Sequence, residues 1–150
     1  MRVVIQRVSS AAVHIGGKTK GAIKKGMLVL LGIEEADTQE DIEWLCGKLA
    51  RLRIFPDENG VMNLDIMAAE GDFLVVSQFT LHASTKKGNR PSYIRAARPE
   101  TAIPLYEMFV EKLKSEAGRM VQTGEFGAMM QVELINDGPV TIIIDSKNRE

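Results

Sequence analysis

Leu134-Ile135-Asn136-Asp137-Gly138-Pro139-Val140-Thr141-Ile142-Ile143-Ile144-Asp145 places two apolar, β-branched runs on either side of a turn signal. Asn and Asp favour turns through bonds from their own side chains, Gly permits positive φ, and Pro fixes φ while donating no backbone hydrogen. The stretch therefore reads as two strand segments joined by a hairpin or a sharp reversal. A cis peptide at Gly138-Pro139 would point two carbonyls the same way with no competing amide donor, an arrangement suited to an ammonium group. Only about 5–6% of X–Pro bonds in folded proteins are cis, so spacing alone favours a plain trans turn.

Upstream, the chain is β before it is helical. Val3-Val4-Ile5 opens a strand, Ala11 to Ile15 and Lys18 to Ile23 form a hairpin about Gly16-Gly17, and Met27 to Ile33 is apolar enough for a central strand. Arg7, at the end of the first strand, suits a surface position, a brace for a backbone carbonyl, or a phosphate ligand. Asp37 or Thr38 can cap a helix whose stripe is Ile42, Leu45, Cys46, Leu49 and Leu52. Cys46 on that stripe is a structural thiol, while Trp44, off it, covers the core edge or meets another subunit. Phe55 to Gly60 is a turn-rich loop. Pro99 to Ala117 is a second helix with Ile103, Tyr106, Phe109, Val110 and Leu113 on one face, and Pro104 is tolerable only in its first turn. Gln131 to Ile135 leads as a strand into the opening stretch.

At 150 residues and 45% apolar the chain fits one soluble domain, residues 1–150, with a proper core. Its longest clean apolar run, Met27 to Leu31, is far too short to cross a bilayer, and Gln6 and Arg7 interrupt any signal-peptide core, so a cytoplasmic location without membrane partners is expected. A single cysteine and two histidines, His14 and His82, make a poor metal set, and neither metal nor cofactor is expected. The net charge of −1 conceals segregation: residues 1–33 and 81–99 contain cations and no acid, whereas residues 34–72 are strongly acidic. Such a chain can present a basic face to phosphates, or its charges can interleave as solvated loops.

Polar residues appear abruptly after Phe73 to Val76, at Ser77-Gln78-Phe79-Thr80-Leu81, where a strand end would face a cleft. Ser77 is a poor esterase nucleophile, because Val75 and Phe79 occupy the places where the nucleophile elbow needs glycines. Thr80 would orient water or substrate, or these polar groups merely satisfy a strand end. Lys86-Lys87-Gly88-Asn89-Arg90-Pro91-Ser92-Tyr93 is a basic loop able to grip a phosphate backbone. In Gly124-Glu125-Phe126-Gly127-Ala128-Met129-Met130, small residues beside Phe and Met shape a flat slot for a base, or equally a piece of core or interface.

In this order, Ser77 to Leu81, Lys87 to Ser92, Gly124 to Met129 and Asn136 to Thr141 closely resemble the D-aminoacyl-tRNA deacylase family, over essentially the whole chain. The resemblance implies an α/β single domain, a β-barrel-like, mostly antiparallel sheet core flanked by two main helices, acting as a homodimer with its active site at the subunit interface. It implies hydrolysis of the ester joining a D-amino acid to tRNA, with D-aminoacyl-tRNA and glycyl-tRNA as substrates, the latter including glycine mischarged on alanine tRNA. Carried over by position, Ser77, Gln78, Phe79 and Thr80 line the ester, with amides around Gln78 and Phe79 as the oxyanion site. Gly138-Pro139, cis and braced by Arg7, takes the substrate ammonium in the partner's site and rejects L-amino acids. Phe126 and Met129 lie near the terminal adenosine, and Lys86, Lys87 and Arg90 hold tRNA phosphates. A nucleic-acid-binding module of the same fold is the alternative. It would carry an additional polar tail, whereas this chain stops nine residues after Thr141.

Overall fold

The computed structural model describes residues 1–150. In chain order the elements are β1 (Arg2–Ile15), β2 (Lys18–Ile23), β3 (Gly26–Gly32), α1 (Gln39–Arg51), β4 (Phe55–Pro56), β5 (Met62–Leu64), β6 (Asp72–Ser77), a 3-10 turn (Phe79–His82), α2 (Pro99–Ala117), β7 (Val121–Thr123) and β8 (Gln131–Asp145). β1 is the spine. One of its edges pairs antiparallel with β3 along Arg2 to Val8 and with β2 along Ala11 to Ile15, and the other pairs antiparallel with β8. β3, β6 and β7 continue the sheet as parallel neighbours. The sheet then curls until β2 lies against β7, so closely that a Cβ on Gly21 would stand 2.7 Å from the Thr123 carbonyl oxygen. The result is a nearly closed barrel with two helices on one side.

Period-two alternation sorts the strand residues between two cores. Val3, Ile5, Met27, Val29, Leu31, Phe73 and Val75 face Leu45 and Leu49 of α1 and Phe109 and Leu113 of α2. Val8, Val13, Leu28, Leu74 and Val76 fill the barrel interior instead. This explains why Met27 to Leu31 is apolar without alternation: β3 is buried on both faces. Fully burying each such side chain contributes about 1.5–3 kcal/mol, and the larger core lies between sheet and helices.

Thr38 caps α1, its N–H donating to Asp41 Oδ2 at 2.8 Å. Phe55–Pro56 pairs with Met62–Leu64, so the expected loop there is a short ribbon. In α2, Pro99 occupies the first turn and Pro104 lies beyond it, inside the helix, contrary to expectation. Ile103 is exposed and Ala102 takes its place in the core, because Tyr106, Phe109 and Leu113 centre the buried stripe one residue away.

The larger correction concerns Leu134 to Asp145. No reversal occurs at Gly138-Pro139, because both flanking runs pair with β1 in the same antiparallel sense and make one strand. Val8 pairs with Asn136 and Gln6 with Thr141, so residues 137–140 stand opposite Arg7 alone and bulge outward. The buried Arg7 guanidinium holds this bulge from behind, its Nε donating to the Asp137 carbonyl at 2.9 Å and its Nη1 to the Ile54 carbonyl at 2.6 Å. At the neck, Asn136 Nδ2 donates to Thr141 Oγ1 at 3.0 Å and the Val140 N–H donates to Asn136 Oδ1 at 3.1 Å.

Arg7→Met should cost about 2–3 kcal/mol in urea unfolding, since hydrogen bonds from a charged donor are lost and a buried carbonyl is left unpaired. Amide exchange at Gly138 and Val140 should quicken with it. Burial opposes ionisation of Asp41, but Lys147, Ser146 and the Thr38 amide outweigh it and hold the carboxyl down from 3.8 to about 2. Because the folded value is the lower one, this stabilisation is present above pH ~4 and lost as pH falls towards 2. Asp41→Asn should therefore lower stability by about 2 kcal/mol at pH 7, with the gap to the unaltered protein closing in acid melts.

Candidate active site

β6 ends beside β3, with Ser77 in register with Leu31, at the carboxyl end of parallel strands where clefts form in α/β sheets. The chain then turns sharply, anchored by the Gln78 N–H donating to the Leu31 carbonyl at 2.8 Å and by the Leu81 N–H donating to the Gln78 carbonyl at 3.2 Å. Ser77, Gln78 and Phe79 form one wall of a small cleft of about 70 Å³, and Phe126 and Gly127 form another. No ionisable side chain lines it. Two segments separated by some fifty residues in sequence thus line one cleft. Thr80 stands beside them, its hydroxyl accepting from Gln78 Nε2 at 2.5 Å. The Gln78 amide, being committed to Leu31, is no longer available as an oxyanion donor, which leaves the Phe79 amide of the expected pair.

Aromatic props that sequence reasoning did not single out support both walls. Tyr106 meets Phe126 edge to face at 5.9 Å and donates its hydroxyl to the Val75 carbonyl at 3.1 Å. Burial pushes its phenol up to about 12, and the hydroxyl braces the end of β6 through that bond. Tyr93 meets Phe79 edge to face at 5.2 Å. The only signal in sequence for either was helical position or loop composition, which does not say what a ring touches.

The basic loop is a closed ring: Ser84 and Ser92 exchange both backbone hydrogen bonds, at 2.8 and 2.9 Å, and Lys86, Lys87 and Arg90 stand exposed beyond the clamp. Met129, 91% exposed, projects from the loop that carries Phe126. Other candidates fall away from the cleft. His14 sits 3.0 Å from Glu133 and 3.1 Å from Thr19 on an exposed strand face. Cys46 is buried, and burial pushes its thiol up to about 12. No group of three or more His, Cys, Asp or Glu side chains is placed to hold a metal ion.

Gly138 and Pro139 do not line this cleft. They sit exposed at the crest of the β8 bulge, and the peptide between them is cis. Gly138 has φ +134, and a Cβ there would stand 2.9 Å from both Arg7 Nη2 and Val140 Cγ2. Only glycine fits. Within one chain, the proposed clasp and the proposed ester site are separate.

A family model described as D-Tyr-tRNA(Tyr) deacylase matches residues 4–145. A protein of Bacteroides fragilis named D-aminoacyl-tRNA deacylase is 67% identical over 150 residues, covering 100% of each chain, and one of the same name from Flavobacterium johnsoniae is 65% identical over the same span. Among solved structures, one described as c-Myc DNA Unwinding Element Binding Protein superposes with a TM-score of 0.90 at 41% identity, covering 97% of this chain and 98% of its own. Another, described as a probable eukaryotic D-amino acid tRNA deacylase, shares the fold at a TM-score of 0.81 and 17% identity, covering 95% and 97%. With a family match from the first strand to the end of the last, and relatives alike over their full length, the chain belongs to the D-Tyr-tRNA(Tyr) deacylase family.

Proposed function

We propose that this protein hydrolyses the ester between a D-amino acid, or glycine, and the terminal ribose of tRNA, and that it rejects L-amino acids with a main-chain clasp lent by a second copy. Deacylases are hydrolases of the aminoacyl-tRNA ester, and the full-length likeness supports that chemistry here. The observation that carries the mechanism is a cleft built from Ser77, Gln78, Phe79 and Phe126 with no acid, base or thiol in its walls. An aminoacyl ester is already activated, so an oriented water, the Phe79 amide facing the oxyanion and the substrate's own 2′-hydroxyl supply the acceleration. Phe126 and Met129 take the terminal adenine, and Lys86, Lys87 and Arg90 take phosphates.

Handedness follows from fixing two points. If the Gly138 and Pro139 carbonyls hold the ammonium and the Ser77 strand end holds the ester, an L side chain is driven into backbone while a D side chain points outward. Glycine, lacking a Cβ, passes. Specificity of this kind works by rejection. The clasp is supported as a cross-subunit element by its absence from the lining of its own cleft and by the free outer edge of β8, on which Ile135 and Ile143 are 61% and 69% exposed. A cytoplasmic setting belongs to the same reading, and no helix is long and apolar enough to cross a membrane.

A second reading, a nucleic-acid-binding module, is favoured by one observation: the 41%-identical structure is described by its binding to a DNA element. Purified protein incubated with matched D-, L- and glycyl-charged tRNA should release D-amino acid and glycine and spare the L-ester. Equal cleavage of mirror-image esters overturns the clasp. Gly138→Ala should abolish deacylation while leaving tRNA affinity within about twofold, since its Cβ clash disturbs the clasp and no phosphate contact; a protein with no deacylation to lose belongs to the second reading. Thr80→Val should keep kcat within about tenfold, whereas a loss near a thousandfold would make its hydroxyl the essential base or nucleophile.

A further inference from the structure

Buried polar side chains are nearly always hydrogen-bonded, and His82 is an exception. Its side chain is fully buried at the end of the turn that starts with Phe79, and neither ring nitrogen has a directed hydrogen bond. Nδ1 nevertheless lies 3.0 Å from Glu34 Oε1, in contact but without hydrogen-bond alignment. The same oxygen receives Arg95 Nη2 at 2.6 Å. One carboxylate oxygen therefore touches two segments at once: the catalytic turn through His82, and the limb that leaves the basic loop through Arg95.

Glu34 is itself held in place. Its N–H donates to Asp37 Oδ2 at 2.7 Å, and it bridges antiparallel to Ala96, beside which the Ala97 N–H donates to the Ile33 carbonyl at 2.8 Å. On the opposite side, His82 is pressed onto β3, where a Cβ on Gly32 would lie 3.0 Å from its Cδ2. The Tyr93–Phe79 contact gives the loop limb a second strut onto the same turn. Ser84 and Ser92 clamp the loop into a ring, and Tyr93 and Arg95 lie just beyond its closed end.

We propose that Glu34 is a positioning residue, which uses Arg95 and His82 to couple the loop's grip on RNA phosphates to the placement of the Phe79–His82 turn. The inference rests on the deacylase reading. Remote binding energy is then used at the reacting centre, appearing in turnover as well as in affinity. An ordinary surface ion pair beside a space-filling histidine would do neither.

The test compares two substrates, D-aminoacyl-tRNA and the D-aminoacyl ester of adenosine, which offers the loop no phosphates. Arg95 is 57% exposed, so Arg95→Ala should fold normally. It should lower kcat on the tRNA by about tenfold and change turnover of the adenosine ester by less than about twofold, as expected when a remote contact sets the geometry of a reacting group. Arg95→Lys should restore most of the loss, and Glu34→Gln should reproduce it. Equal losses on both substrates, a change in KM alone, or no change on either would overturn the proposal. Failure of the unaltered protein to cleave either substrate would instead refute the deacylase reading on which it stands.

Discussion

The structure depends on a mismatch in one ladder. β1 gives its whole outer edge to β8, yet the two strands do not match residue for residue, and the surplus is concentrated opposite Arg7. Had the extra residues been spread along the strand, each would have rotated the side chains beyond it to the wrong face. Gathered in one place, they leave Gly138 and Pro139 clear of the surface, while Val3 and Ile5 face the helices, Val8 faces the barrel interior, and a second irregularity between Val8 and Ser10 keeps Val13 on that interior side. The guanidinium beneath them satisfies carbonyls that the ladder cannot reach.

The cleft shares this economy, because no ionisable side chain lines it. Buried groups with a reactive atom, the Tyr106 hydroxyl and the Cys46 thiol, are pushed by burial away from ionisation and serve packing. The cleft is lined instead by Ser77, the Gln78 amide side chain, small and aliphatic residues and the rings of Phe79 and Phe126. Such a set suits an activated ester, whose hydrolysis needs stabilised charge and a held water more than a strong base. It also suits discrimination by shape, since rigid backbone yields less than side chains do.

Much of this was legible in the sequence wherever the signal was local. Helical periodicity located both helices, the glycine pair located the first hairpin, and the change from Val76 to Ser77 marked the strand end that lines the cleft. The reversal expected at Asn136 to Pro139 failed because turn chemistry describes only what those residues can do alone. Pairing with β1 on both sides decides what they do, and that pairing is a long-range fact. Ile103 was misplaced because Ala102, too small to register as a core residue by periodicity, occupies the buried face. Residues that meet only in three dimensions, such as His82 with Glu34 and Arg95, leave no trace in spacing at all.

The outer rim of β8 has a further consequence. A long, apolar, unpaired strand invites indiscriminate stacking, and fibrils grow from such templates. Here the rim is broken midway by a stiff protrusion, so no uninterrupted ribbon can be laid along it. The protrusion acts as a keying feature: it limits which alignments a neighbour can adopt and guards against runaway assembly with the same four residues.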